Sequence, residues 1–488
     1  MSRKNSLPQH MDPNRREFLW KGACAALSGV SMASTIWDLR LINAAAASTP
    51  THRKTLTGLA SPAAATDYKA LVCLFLFGGN DGNNLIVPTD TTTYNQYSAA
   101  RGILTLPLPG QTGGLLPLNP LTNDGHTYGL HPSCPELAAL FNSGQAAVLV
   151  NVGTLLAPLT KTQYFNRSVA TPSQLFSHND QQLEWQTSIE DQPSKTGWGG
   201  RSADLLYSLN SNNNVSMNIS LAGTNTFESG NIINEYNVSS SGAISMNIPT
   251  NTAGSAQLQA LKDIIALNHT NLYESAFATE MNTALNDAAT LNSAIAATSS
   301  ATYWTTPFPT TSLGNQLRMI ARLIQAAPTL GHHRQIFFAS IGGFDLHSTE
   351  GGSTGAQAGL LADVSKCMNA LYQASVQLGV AAGVTQFTAS DFSRTFPVNT
   401  GMGTDHAWGN NHLLVGGAVQ GQKIYGTFPT LQVNGPDDTG TGRWIPTTSV
   451  DQYGATLAKW FGVSPGNMSA VFPYIGRFAT ADLGFLSP

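Results

Sequence analysis

TQFTASDFSRTFPVNTGMGTDHAWGNNHLLVGG, residues 385–417, reads as a short apolar strand, a polar turn headed by Asp391, a glycine-rich loop and a second apolar run. The loop carries Asp405 and His406, and His412 opens the second run. Carboxylates and imidazoles released at the end of a buried strand are the raw material of metal and acid–base sites. Two earlier stretches share this form. LVCLFLFGGNDGNN (71–84) delivers Asp81, and QIFFASIGGFDLH (335–347) delivers Asp345 and His347. Runs that are apolar on both faces suit central strands of a parallel sheet. Ligands of such sheets bind outside the carboxyl ends of the strands. The three strand ends are therefore expected to meet in one site.

The surrounding pattern supports an α/β chain with a doubly wound, mainly parallel sheet. Residues 131–153, HPSCPELAALFNSGQAAVLVNVG, read as a helix with Pro132 near its start and then a strand. The apolar run from 335, the helical pattern of 359–380 and the strand reaching Asp391 form a parallel crossover of the right-handed kind. From about 208 to 255 the composition shifts to Asn, Ser, Thr and Gly, with short alternating stretches. A helical region rich in Ala, Leu and Asn follows over 257–295, and a well-patterned helix over 315–327. The stretch 208–312 is read as an insertion covering the sheet of a single domain spanning 67–488.

With 42% hydrophobic residues the 488-residue chain can bury a substantial core. Charged residues make up only 11%, the net charge is −4, and 24 Lys and Arg are spread thinly. No basic stripe follows a phosphate backbone, which argues against nucleic-acid binding. Of four cysteines (Cys24, Cys73, Cys134 and Cys367), none forms a C-x-x-C pair. A thiolate zinc site therefore has no support, and Cys73 and Cys367 read as core residues.

Residues 14–21, NRREFLWK, place a twin arginine before Phe18 and Leu19, followed by a weakly apolar run and Ala44 to Ala47. This is a signal peptide over 1–47 with a small-residue cleavage site, and its apolar run is too short to span a bilayer. It resembles the twin-arginine export signal, which implies the twin-arginine machinery as partner and a periplasmic or secreted location. A polar linker, 48–66, follows.

The donor set at the strand ends, Asp81, Asp345, His347, Asp391, Asp405, His406 and His412, is hard oxygen and nitrogen. It suits Zn, Mn, Mg or Ca. Plainer readings stand beside it: Asp81 as a turn former, Asp405 as the cap of a polar loop, Asp391 as an N-cap with Arg394 as its ion partner. Ser177, before the polar helix SHNDQQLEWQTS, is either an N-cap or a nucleophile. His126, His131, His269, His332 and His333 read as surface or core residues.

LFLFGGNDGNNLIVP, SHNDQQLEWQT, GGFDLH, SDFSRT, GTDHAWGNNHLLVGG and VFPYIGRF, in this order, resemble a bacterial exported family known as domain of unknown function 1501. That family is in turn similar to the alkaline phosphatase and sulfatase superfamily. The resemblance implies an alkaline-phosphatase-like fold with a divalent metal (Zn, Mn or Ca). Asp81 would match the first metal carboxylate, Asp345 with His347 an Asp/His pair, Asp391 the carboxylate of an Asp-His motif, and His412 or His406 the late histidine. Phe392 stands where that motif has histidine, and the Asp345–His347 spacing is short. Ser177 is the best-placed nucleophile, and Arg394 or Arg201 would hold the anion. The expected activity is hydrolysis of a phosphate or sulfate ester. The alternative is a non-catalytic periplasmic binding or structural protein on the same scaffold.

Overall fold

The computed structural model describes residues 67–122, 124–244, 251–268, 270–298 and 302–487. The leader read over 1–47, the linker 48–66 and His269 lie outside them. The described residues divide into two compact units. One comprises 244–286 and holds the helix Thr252–Ile265 and the start of the helix Leu272–Ala296; the other holds the rest.

In the larger unit the strands are β1 (Lys69–Leu76), β2 (Ile86–Pro88), β3 (Leu116–Leu118), β4 (Tyr128–Leu130), β5 (Ala146–Gly153), β6 (Asn218–Ser220), β7 (Tyr236–Ser239), β8 (Gly242–Ala243), β9 (Arg334–Ile341), β10 (Val384–Ser390), β11 (Asn410–Gly416), β12 (Ile424–Tyr425) and β13 (Thr448–Ser449). Strands β2, β4 and β3 make a small antiparallel sheet. The others form one large, mostly parallel sheet in the order β12–β5–β11–β10–β1–β9–β6–β7–β8, with β13 also on β5.

β1 is central because its side chains are apolar on both faces. Leu71, Cys73 and Phe75 enter a core shared with the helices Trp198–Leu206 and Val450–Phe461. The alternate residues Ala70, Val72, Leu74 and Leu76 point to the other face and are equally buried. The helices Ser312–Leu330 and Ala356–Gln377 pack beside β9, β10 and β11. Strands β9 and β10 flank β1, both parallel to it, so the crossover expected between them is present.

β11 runs antiparallel to β10 and to β5. Its N-terminal end therefore lies at the edge where β1, β9 and β10 end. This is how Asp405 and His406, which precede β11, reach the same edge as residues that follow the other strands.

Two expectations change in detail. The helix read from Pro132 begins at Pro135, because 131–134 form a turn closed by a Cys134 N–H bond to the His131 carbonyl. The early part of the 208–312 stretch does not cover the sheet. Its strands β6 and β7 pair in line beyond β9 and extend the edge. Cys73 and Cys367 are buried as expected, and these two and the buried Cys134 are free thiols.

Glu184, on the helix His178–Thr187, is buried and accepts from Gln181 Nε2 at 2.6 Å. Burial pushes its carboxyl up to about 8, against the hydrogen bond from Gln181. The folded state thus holds a proton that the unfolded chain releases near the ordinary glutamate value, so this contribution is complete below that value and is lost as pH rises through about 8. Glu184→Gln, which keeps the shape without the charge, should flatten the fall in melting temperature between about pH 5 and 9. An unchanged pH slope in thermal unfolding would count against this.

Candidate metal centre

Three strand ends abut through two glycines. Gly78 follows β1 at φ +111°, and a Cβ there would lie 2.4 Å from the Asp345 nitrogen. Gly79, at φ +80°, would place a Cβ 2.6 Å from the Phe392 ring. Only glycine tolerates both the left-handed backbone and the approach. The Gly78 N–H donates to both carboxylate oxygens of Asp391, at 3.2 and 3.3 Å, and Asn80 N–H to Ser390 Oγ at 2.9 Å.

Three imidazoles gather at this edge, each with Nδ1 held by an acceptor. His178 Nδ1 lies 2.7 Å from Asp391 Oδ2, which also accepts from Gln182 Nε2 at 2.8 Å. His406 Nδ1 donates to the Phe176 carbonyl at 2.7 Å. His347 Nδ1 lies 3.0 Å from Asp405 Oδ1, itself bonded by Asn399 Nδ2 at 3.0 Å. A hydrogen bond of this kind fixes the tautomer and leaves the Nε2 lone pair outward.

All three Nε2 atoms face one carboxylate, Asp345. The distances are 3.5 Å from His178 to Oδ2, and 3.0 Å and 3.3 Å from His347 and His406 to Oδ1. His347 Nε2 and His406 Nε2 are 3.0 Å apart. His178 Nε2 is buried and makes no hydrogen bond. His178, Asp345 and His406 each offer a ligand atom within 4.8 Å of the others. Acceptors facing acceptors at such distances require a proton or a cation between them. A tetrahedral ion with metal–nitrogen bonds of about 2.0–2.1 Å separates its ligand atoms by about 3.3–3.4 Å.

Arg394 supports the cluster from below. It is fully buried and donates to Asp345 Oδ1 at 2.8 Å, to the Thr404 carbonyl at 2.7 Å and to Thr404 Oγ1 and the Gly78 carbonyl at 3.3 Å. Burial works against ionisation of Asp345, but Arg394, His178 and His347 outweigh it and hold the carboxyl below its usual range. The Asp391 hydrogen bond raises the His178 value, whereas burial lowers that of His406.

The model of one protein family, described as "Protein of unknown function (DUF1501)", matches residues 68–456. The chain belongs to that family. No curated protein matches it.

The remaining candidates of this DUF1501 chain lie elsewhere. Asp81 is buried and caps the short helix Gly82–Leu85, accepting from Asn83 N–H at 3.1 Å, and forms an ion pair with buried Arg101. The turn-former reading of Asp81 therefore describes its contacts, and its charge is already matched. His412 points from β11 into the core between Trp185 and Tyr453, and burial pushes it down to about 3. The alternation of β11 side chains turns it away from the edge that His406 occupies. Arg201 is also buried, donating to the carbonyls of Thr187, Thr196 and Val471, and so holds backbone rather than an anion. Asp391 receives no hydrogen bond from Arg394, whose partner is Asp345. Ser177 precedes the helix but its hydroxyl does not cap it; Oγ donates to Asp180 Oδ2 at 2.5 Å.

His178 and Gln182 were not singled out from the sequence. Their spacing of four residues on one helix face was the available signal. Two G-x-S-x-G spacings, the pattern of a nucleophile turn in serine hydrolases, lie around Ser353 and Ser464. Ser353 donates to the Gly113 carbonyl at 2.6 Å, and among the described residues neither serine hydrogen-bonds a histidine.

The buried Asp81–Arg101 pair sets a clear expectation. Asp81→Asn removes the nearer of the two carboxylates beside the buried guanidinium, leaving Glu350 at 3.9 Å, and should cost up to about 3–5 kcal/mol in urea unfolding. Divalent-ion binding in native buffer should be unchanged, and a loss of ion stoichiometry in a folded Asp81→Asn protein would place Asp81 among the ligands.

Proposed function

We propose that this protein is an exported, metal-dependent hydrolase of phosphate or sulfate esters. The observation that carries the reading is the convergence of three imidazole Nε2 atoms on Asp345, with every Nδ1 already engaged. The donor set fits one divalent ion, held by His178, Asp345 and His406, with His347 on the open side. Zn or Mn suits a nitrogen-rich set better than Ca does. The ion would act as a Lewis acid toward an ester oxygen.

The chain's own groups do the rest. Asp391, Asp405 and the Phe176 carbonyl keep the three rings in one tautomer and orientation. Arg394 keeps Asp345 ionised. Asp345, His347 and Asp405 are about half exposed, so a substrate can approach from solvent. Ser177 is the proposed nucleophile: its Oγ would attack the ester phosphorus or sulfur and displace the alcohol, Asp180 taking the hydroxyl proton it already faces and passing it to the leaving oxygen, after which water would release phosphate or sulfate from the serine. The mostly parallel sheet, with helices on both faces and the cluster beyond the strand ends, supports the likeness to the alkaline phosphatase and sulfatase superfamily. One specific observation favours the second reading, a non-catalytic binding protein. Asp81 and His412, which a second ion would need, are held elsewhere.

Titration of the chelator-free chain with Zn, Mn and Ca by calorimetry, followed by turnover of aryl phosphates and sulfates, tests this. About one equivalent of ion should bind, and Asp345→Ala should abolish it. Ser177→Ala should keep the ion and lose about 100-fold or more in turnover. Equal ion binding by Asp345→Ala, or none by the natural chain, overturns the proposal. Ion binding with no ester turnover favours the binding role.

A further inference from the structure

Resting on the hydrolase reading, we propose that Arg443 receives the anionic group of the substrate beside His406. Arg443 forms a closed clasp with two residues of the cluster's wall. Its Nε donates to the His406 carbonyl at 2.8 Å, and its guanidinium carbon lies 4.3 Å from the Phe176 ring centre. The Phe176 carbonyl in turn accepts from His406 Nδ1 at 2.7 Å. The arginine is thereby tied to the backbone of one proposed ligand and stacked on the residue that orients that ligand's ring.

The loop that presents it is built. Asp438 Oδ1 accepts from Arg443 N–H at 2.9 Å and from Gly440 N–H at 2.7 Å. Thr439 N–H donates to the Arg443 carbonyl at 3.0 Å. Gly442, at φ +70°, lies against Phe396, where a Cβ would come within 2.3 Å of the phenylalanine Cβ.

Arg443 differs in the state of its fork from Arg394, the arginine that holds Asp345, although Arg167, Arg322 and Arg477, away from the cluster, also leave terminal nitrogens off protein acceptors among the described residues. Arg101, Arg201, Arg334 and Arg394 have both terminal nitrogens on protein acceptors. Among the described residues Arg443 makes one side-chain hydrogen bond, through Nε, and Nη1 and Nη2 donate to none. The residue is half-buried, so the fork is pre-oriented without being covered. A planar pair of N–H donors beside a cation site matches two oxygens of a phosphate or sulfate group. Arg394 cannot take that role, since its donors already hold Asp345, Gly78 and Thr404.

The test uses the full chain loaded with Zn or Mn, and the variants Arg443→Met and Arg443→Lys. Inorganic phosphate and sulfate binding are measured by calorimetry alongside ion stoichiometry, and kcat and KM for an aryl phosphate and an aryl sulfate. Arg443→Met should keep its ion and weaken anion binding about tenfold or more, with KM rising more than kcat falls. Arg443→Lys, which restores charge without the fork, should recover part of the affinity. Unchanged anion binding in an ion-loaded Arg443→Met protein overturns the proposal, and so does loss of the ion in both variants, which would make Arg443 a support of His406. A natural chain that binds no ion defeats the hydrolase reading instead, and does so before any variant is compared.

Discussion

The carboxylate of Asp391 is the joint on which the functional edge depends. It sits at the end of β10, fully buried, and receives the Gly78 N–H from the end of β1 and two side chains, His178 and Gln182, from one helix. A buried carboxylate is tolerable only when its oxygens are satisfied. These donors come from β1, more than 300 residues earlier in the chain, and from a helix that belongs to neither strand. Removing any donor would leave charge uncompensated, so the geometry of the edge is fixed by the need to satisfy one group.

The same logic governs the level above it. Asp391 sets His178; the Phe176 carbonyl, two residues earlier, sets His406; Asp405, beside His406, sets His347. Two of the imidazoles, His406 and His347, are oriented by groups next to another member of the cluster, and His178 by the joint itself. The interlocking means that the position of one ring carries information about the others, which is how an open surface site keeps its shape.

Much of this was legible in the chain. The apolar runs ending in Gly78-Gly79 and Gly342-Gly343 identified parallel strands, and their carboxylates fell at the expected edge. Asp345, His347, Asp391, Asp405 and His406 do come together. The sequence misled where a residue's role depends on which way it points. His412 lies six residues beyond His406, yet β11 alternation turns it into the core. Asp81 differs from Asp345 because a helix placed Arg101 against it, and no local pattern announces an ion pair formed across 20 residues. His178 was hidden for the opposite reason: its helix is polar and has no periodic apolar face, so nothing marked which side would meet the sheet. β6 falls in an alternating stretch that reads as a short strand, but its place beyond β9, and the strand β7, were obscure, since three or four residues are too few to show which sheet they join.

The cluster draws its donors from positions 178, 345–347, 391 and 405–406, and the bond between Phe176 and His406 spans 230 residues. No shorter segment of the chain contains the set. Nascent chain that has not reached residue 406 has no means of gathering it, and closing a loop of that length is entropically unfavourable until the sheet supplies its pairing energy. The edge is therefore complete only once β1, β9, β10 and β11 are all in place. Any ligand selective for the finished edge would report completion of the whole sheet and draw the folding equilibrium toward it.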